Sequence, residues 1–154
     1  MALTITETQS LKAYFQPLIG QAAWNVELGH GSFVTLEFGE ALPSNSGSVV
    51  HGTWHFWVYC CIWRLETHDD VLAGSEDSRS RLEKVLPLLE GKILEDIEIN
   101  FPSGDTLLHF AGRLVLRLMP VHSETYENWF LYTPDGVLVF GPGTGWCFEP
   151  TPVS

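Results

Sequence analysis

The residues best suited to chemistry in this 154-residue chain are six histidines and three cysteines. The histidines stand at positions 30, 51, 55, 68, 109 and 122. His51 and His55 are four apart, a spacing that converges on a helix but leaves residues about 13 Å apart along a strand. Because the neighbouring residues predict a strand, we expect no metal site at this pair and no cofactor.

A second group of potential metal ligands is the run His68-Asp69-Asp70. It lacks the regularly spaced acids and the glycine of a calcium-binding loop. A solvated acidic loop is therefore the preferred interpretation of this run.

Two adjacent cysteines, Cys60 and Cys61, are the candidates for a nucleophile. They lie among bulky apolar residues, and such surroundings make a thiol unreactive. Cys61 and His55 would share a strand face, but about 20 Å of straight strand would separate them. We therefore expect no catalytic residue. The third cysteine, Cys147, makes the count odd, which favours reduced thiols and a cytoplasmic protein over a disulfide framework.

The cysteines belong to an aromatic stretch, TWHFWVYCCIWRLE at positions 53–66, which contains three of the six tryptophans. Apolar residues occupy both alternating faces, as in a central strand that is covered on both sides. Core packing is the preferred interpretation. The alternative is a small-molecule site or an enzyme pocket beside His55, Trp57 and Trp63, with the loop at 40–52 closing over it.

The elements around this stretch predict an α+β fold with two helices and about eight strands in largely antiparallel sheet. We expect one domain over residues 1–154, built from two similar halves at about 6–66 and 76–148. Each half contains a helix, a hairpin and a strand led by tryptophan. Pro17 and Pro87 predict that both helices end or kink early.

Pairs of residues at equivalent places support this duplicated plan, although binary patterning alone can produce such similarity. The aligned pairs are Leu11 with Leu82, Phe15 with Leu86, Gly20 with Gly91, Val26 with Ile97, Leu28 with Ile99, Leu36 with Leu108, Phe38 with Phe110, Trp54 with Trp129, Ile62 with Val137 and Leu65 with Phe140.

The charge of the chain limits its partners. Nineteen acids oppose eight lysines and arginines, for a net charge of −11, so nucleic acid would be repelled and a basic protein attracted. The N-terminus has no secretory signal pattern, and no apolar run is long enough for a membrane helix. Acids concentrate between positions 66 and 98, and we expect Asp69, Asp70, Glu76 and Asp77 to steer a partner.

The second half carries Leu-Glu-Gly at 89–91 before a hairpin, and then ENWFLYTPDGVLVFGPGTGW at 127–146. In these motifs it resembles small uncharacterised bacterial domains, some of which look like immunity proteins encoded beside polymorphic toxins. The resemblance covers about the last seventy residues and carries no catalytic residue across. It implies a protein that binds a toxin.

Taken together, these patterns predict a non-enzymatic acidic module that binds a basic protein, and one that neutralises a toxin-like partner. If that partner is a nuclease, the acids would mimic the phosphates that its active site accepts. The low lysine count and the apolar strand also suggest a homodimer. A protein kept soluble by its acidity, without any such partner, is the competing interpretation.

Overall fold

The computed structural model describes residues 5–43 and 51–152. Two α-helices, α1 (Ile5–Ala13) and α2 (Arg79–Val85), combine with antiparallel strands, so the predicted α+β class is confirmed. Short 3₁₀ helices follow both α-helices, at Gln16–Leu18 and Leu86–Leu89, and a third spans Ala111–Arg113. The strands are β1 (Trp24–Leu28), β2 (Val34–Ala41), β3 (Gly52–Val58), β4 (Cys61–Glu66), β5 (Val71–Gly74), β6 (Leu94–Ile99), β7 (Thr106–Phe110), β8 (Leu114–Pro120), β9 (Trp129–Thr133), β10 (Gly136–Phe140) and β11 (Trp146–Pro150).

The strands form two sheets. Sheet 1 has six strands in the order β1-β2-β3-β9-β10-β11, and sheet 2 has five in the order β5-β4-β8-β7-β6. One hydrophobic core contains the inward side chains of both sheets together with residues of both helices. Phe15, which follows α1, packs its ring against Phe56 of β3 and Trp129 of β9. The inner faces are therefore buried, which leaves the outer faces as the surfaces available for function.

The aromatic stretch forms two strands, so the prediction of one central strand is wrong. Phe56 and Val58 point into the core from sheet 1, and Cys61, Trp63 and Leu65 point into it from sheet 2. Between them, the backbone N–H groups of residues 59 and 60 donate to the carbonyl oxygens of residues 128 and 127. This crossing resets the alternation of side chains, which is why both faces of the stretch are apolar in sequence.

Both helices end where the prolines predict. Pro17 and Pro87 lie in the 3₁₀ segments that replace further α-helical turns. Gly20 and Gly91 then adopt positive φ angles of 93° and 80°, a conformation that glycine takes without steric cost. Each glycine therefore ends a helical segment, and the strands β1 to β3 and β6 to β8 follow.

The same order of elements occurs twice. A helix and a 3₁₀ turn lead to three sequential neighbours, β1-β2-β3 in sheet 1 and β6-β7-β8 in sheet 2. The next two strands then join the other sheet, with β4 beside β8 and β5 beside β4, and with β9 beside β3 and β10 beside β9. Gly20 N–H donates to Leu94 O, and Gly91 N–H donates to Ala23 O, so the two bonds follow the same 71-residue offset.

The predicted pairing of Trp54 with Trp129 does not follow this order. Trp54 lies on the third strand of its series, whereas Trp129 lies on the fourth strand of its own. Ile62 and Val137 are displaced in the same way, on a fourth and a fifth strand, as are Leu65 and Phe140. These predicted pairs are out of register because the aromatic stretch forms two strands, β3 and β4, where the predicted repeat requires one.

Two further strands lie at the edges of the sheets. Val71–Gly74 forms β5 directly after the acidic run His68-Asp69-Asp70, and Trp146–Pro150 forms β11 near the end of the chain. Both are edge strands, and an edge strand has only one neighbour to specify it.

Candidate functional site

The outer face of sheet 1 carries a cluster of aromatic side chains, which we call the aromatic face: Phe33, Trp57, Tyr59, Phe130 and Tyr132. Trp57 on β3 lies opposite Phe130 on β9, and their rings stack with centroids 5.2 Å apart. The alternation of the strands directs Trp57, Phe130 and Tyr132 away from the core, and Phe33 and Tyr59 adjoin the ends of β2 and β3. Each remains partly open to solvent, and Tyr132 is 37% exposed.

One carboxylate beside the aromatic face is buried. Glu37 of β2 lies opposite Trp24 of β1 and His55 of β3, and it is only 1% exposed. Its Oε1 accepts a hydrogen bond of 2.8 Å from the backbone N–H of Gly52. Its Oε2 lies 2.6 Å from His55 Nδ1. Within the described residues, the ion-pair partners of Glu37 are both histidines.

The second of these histidines is His51, just before β3. Its Nδ1 lies 3.7 Å from Glu37 Oε1, and its ring centroid lies 4.5 Å from that of His55. The expectation that the two histidines are too far apart to act together is therefore wrong. The straight-strand distance does not apply, because the β2–β3 register is irregular between Phe38 and Ala41, opposite the start of β3.

Gly52 makes this arrangement possible. A Cβ atom at position 52 would lie 2.5 Å from the carbonyl oxygen of Phe38 and 3.1 Å from Trp24 Cζ2. The backbone at the start of β3 can therefore approach β2 only because position 52 has no side chain. The close approach brings the Gly52 N–H to the carboxylate of Glu37.

Two neighbouring clefts open on this group. The larger, of about 770 Å³, is lined by Trp24, Asn25, Glu27, Gly29, Thr35, Glu37, His51, His55, Trp57 and Glu90. The smaller, of about 440 Å³, is lined by Leu42, His51, Gly52, Thr53, His55, Trp57, Tyr132 and Thr133. His51, His55 and Trp57 line both, so they form the ridge between the clefts. Burial raises the pKa of the Tyr132 phenol, which keeps it a neutral hydrogen-bonding group beside His55.

The residues predicted for a ligand pocket separate into two groups. His55 and Trp57 line the clefts, whereas Trp63 is 1% exposed in the core and donates from Nε1 to Ser32 O. Of the predicted 40–52 loop, residues 44–50 lie outside the described residues. Leu42 and His51, which flank them, contribute to the clefts.

The four acids predicted to steer a partner are all exposed, at the two ends of edge strand β5. Asp69 and Asp70 occupy the turn before it, and Glu76 and Asp77 follow it. Two of them also support local turns, since Asp70 accepts from Val71 N–H and Asp77 from Gly74 N–H. The structure does not bring these acids to the aromatic face, which belongs to the other sheet.

The two adjacent cysteines, Cys60 and Cys61, have thiols of raised pKa. Burial, with a smaller contribution from Cys60, raises the pKa of the Cys61 thiol to about 12. Burial and then the nearby charge of Glu127 raise the pKa of Cys60 as well. A thiol that stays protonated at neutral pH is a poor nucleophile. Cys147 is exposed on β11.

Glu37 is the functional residue that the sequence did not reveal. Its place in VTLEF predicts an outward side chain on an alternating strand, and outward glutamates are ordinarily solvated. Only the pairing of β2 with β3 shows that it lies opposite His55. The sequence alone contains no signal for this residue, because its neighbour is set by the register between β2 and β3.

No protein-family model, curated protein or solved structure matches this chain. Within the described residues, no helix combines the length and the apolar character needed to cross a membrane. The geometry of the site is therefore the basis for assigning a function.

Proposed function

We propose that the protein is a non-enzymatic binding module whose contact surface is the aromatic face. The observation that supports this is the contiguous ring cluster on the outer side of sheet 1, centred on the stacked Trp57 and Phe130. Tryptophan and tyrosine dominate the binding energy of protein interfaces because they bury a large area with few rotatable bonds. None of the described helices packs over this face, since both contribute to the core on its inner side.

The proposed partner is a basic protein. With a net charge of −11, the chain attracts cations at long range and accelerates association. Asp69, Asp70, Glu76 and Asp77 contribute to this attraction without touching the partner at the aromatic face. Nucleic acid and anionic membranes are disfavoured by the same charge.

The biological role that fits this chemistry is neutralisation of a basic toxin-like protein in the cytoplasm, in the manner of an immunity protein. Partly exposed aromatics would supply the anchors, and the acids would steer the partner from a distance. Reduced cysteines are consistent with that compartment, because Cys60, Cys61 and Cys147 are all unpaired.

Affinity capture with the intact protein tests this proposal, and Trp57→Ala should be compared with Met119→Ala. Met119 is partly buried on the outer face of sheet 2, so it serves as a matched control. We expect a basic protein to be retained at low salt by the wild type and by Met119→Ala. Its affinity for Trp57→Ala should fall by about 2 kcal/mol or more in a binding titration. Equal retention by all three proteins, or retention of no basic protein, would contradict the proposal.

A second candidate function is binding of a small molecule in the larger cleft, as the alternative prediction from sequence has it. The observation that favours it is the convergence of Glu37, His55 and two tryptophans on one cavity. Thermal-shift screening separates the two functions, because a ligand that binds the native state raises its melting temperature. A metabolite that protects the wild type but not His55→Ala would favour this candidate.

Self-association through the aromatic face is a further proposal for the same surface. Light scattering over a range of concentrations tests it directly. A dimer mass that reverts to a monomer in Trp57→Ala would assign the face to a second copy of the chain. A monomer mass at the highest concentration would contradict self-association through the aromatic face.

We also propose that the two halves arose by duplication. The recurring order of elements and the reciprocal bonds at Gly20 and Gly91 support this, whereas the pairing of Trp54 with Trp129 does not. A set of related sequences should keep the 71-residue correspondence in the helix and first hairpin of each half. Relatives in which the two halves vary without that correspondence would argue against duplication.

A further inference from the structure

Glu37, His51 and His55 have the composition of a transition-metal site. One ligand atom from each lies within 4.8 Å of the others. In a tetrahedral zinc site the metal–ligand distances of about 2.0–2.2 Å place neighbouring ligand atoms about 3.3 Å apart. The 3.7 Å between His51 Nδ1 and Glu37 Oε1 is close to that value. His55 Nδ1 and Glu37 Oε2 lie 2.6 Å apart, which is a hydrogen bond. For both atoms to bind one metal ion, the shared proton must leave and the two atoms must separate by several tenths of an ångström.

A bound cation would stabilise the buried carboxylate of Glu37. A carboxylate out of water is costly unless it is neutralised, and the described neighbours of Glu37 offer only imidazoles for this purpose. A divalent cation would neutralise the carboxylate and accept a nitrogen lone pair from each of the two rings, whose centroids lie 4.5 Å apart.

The three donors are also held in place. Glu37 is fixed by the N–H of Gly52 and by the register that sets it opposite His55. The side chain of His51 is 49% exposed, so it can adjust to complete the site. Both clefts reach the two histidines, which leaves a further coordination position open to solvent or to a ligand.

We propose that Glu37, His51 and His55 form a binding site for one transition-metal dication, with Zn²⁺ as the preferred ion. Imidazole donors favour zinc and its neighbours, whereas Ca²⁺ and Mg²⁺ require oxygen ligands. Three protein ligands with an open position are the arrangement of zinc sites that bind an exchangeable ligand. This reverses the expectation from sequence that the chain has no metal site, and it does not depend on the proposed protein partner.

The test is a calorimetric titration of the full-length, tag-free apoprotein with Zn²⁺. We expect one equivalent to bind to the wild type. His51→Ala should weaken binding by at least about tenfold, since loss of even an outer hydrogen-bond partner costs that much at metal sites. His51 is exposed, so this variant should fold normally, and Glu37→Gln provides a second test.

His109→Ala is the matched control. His109 Nε2 lies 2.7 Å from Glu98 Oε1 on sheet 2, so it forms a histidine–carboxylate pair without a second described histidine. This variant should bind Zn²⁺ like the wild type. Substitution of Co²⁺ should give the visible spectrum of a nitrogen- and oxygen-ligated ion, without the thiolate band that binding at Cys147 would produce. Absence of stoichiometric binding, a thiolate band, or equal affinity in His51→Ala and the wild type would overturn the proposal.

Discussion

The outer faces of the two sheets differ in how their polar groups are satisfied. On sheet 2, Glu66 accepts hydrogen bonds from Arg64 and Arg117, and His109 pairs with Glu98. These charged side chains are paired with one another at the surface. On sheet 1, a buried carboxylate meets two histidines beside a partly exposed aromatic cluster.

This difference matters because both sheets begin from the same series of elements, a helix followed by three sequential strands. The repeated order of elements supplies the two inner faces of one core, but it does not determine which residues lie on the outer faces. The charged groups on the outer face of sheet 2 pair with one another and so stabilise that sheet. The outer face of sheet 1 instead presents a carboxylate, two histidines and aromatic rings that a ligand or partner can contact. We therefore propose that the functional surface lies on sheet 1, and we expect substitutions on the two outer faces to differ in their effects.

The largest effect is expected at the glycine that allows β3 to approach β2. Gly52→Ala would place a Cβ 2.5 Å from Phe38 O, so we expect a loss of about 2–3 kcal/mol in the free energy of unfolding. Gly74→Ala on β5 of sheet 2 is the matched control, because its Cβ would meet atoms no closer than 3.8 Å. Urea denaturation measures both variants. Equal stability of the two would show that Gly52 does not constrain the site.

A smaller effect is expected from paired substitutions on each face. A double-mutant cycle at Trp57 and Phe130 should give a coupling of about 1 kcal/mol from their stacked rings. A cycle at Glu66 and Arg117 should give about 0.5 kcal/mol, because that ion pair is partly exposed to solvent. High salt should reduce the second coupling and leave the first unchanged. A salt-sensitive coupling at the aromatic pair would remove the distinction between the faces.

The smallest effect is a pH dependence that arises from Glu66 on sheet 2. Burial alone would raise the pKa of the Glu66 carboxyl, but hydrogen bonds from Arg117 and then Arg64, together with the charges of both guanidinium groups, hold the pKa below its ordinary 4.5. A carboxyl with a depressed folded-state pKa stabilises the fold above its unfolded-state pKa, and this contribution disappears as the pH falls through the folded-state value.

We therefore expect the wild type to be more stable than Glu66→Gln at pH 7, with the difference closing below about pH 4. Denaturation curves between pH 7 and pH 3 provide the measurement, and Trp57→Ala, which removes no charge, is the control. A difference that persisted unchanged to pH 3 would assign the role of Glu66 to packing instead.

Several features could be predicted because they depend on residues close together in the chain. Pro17 and Pro87 end the helices whatever surrounds them, since proline cannot donate a backbone hydrogen bond. The turn at Pro134-Asp135 is also local, with Thr133 Oγ1 accepting from the N–H groups of Asp135 and Gly136. The hairpin that it joins, β9–β10, follows from the apolar alternation on either side.

The candidate site depended on contacts that no local pattern specifies. The sequence indicates His55 as a pocket residue, but the geometry of a straight strand predicts that His51 lies too far from it to act with it. Their closeness comes from an irregular strand pairing and from a glycine that fits only against its neighbouring strand. The prediction that Trp63 lines the same pocket as Trp57 is wrong for a related reason. The chain changes sheets between Val58 and Cys61, so the alternation restarts and Trp63 points into the core.

The sequence by itself determined the class of fold, the helix ends, the hairpin turns and the acidic charge, all of which arise from composition or from neighbours along the chain. Tertiary structure alone decided that Glu37 is buried, that two histidines meet it, and that aromatic rings from separate strands form one surface. The physical reason is that strand pairing joins residues far apart in sequence. A side chain's environment then depends on which strand lies beside it, and alternation along its own strand cannot specify that neighbour.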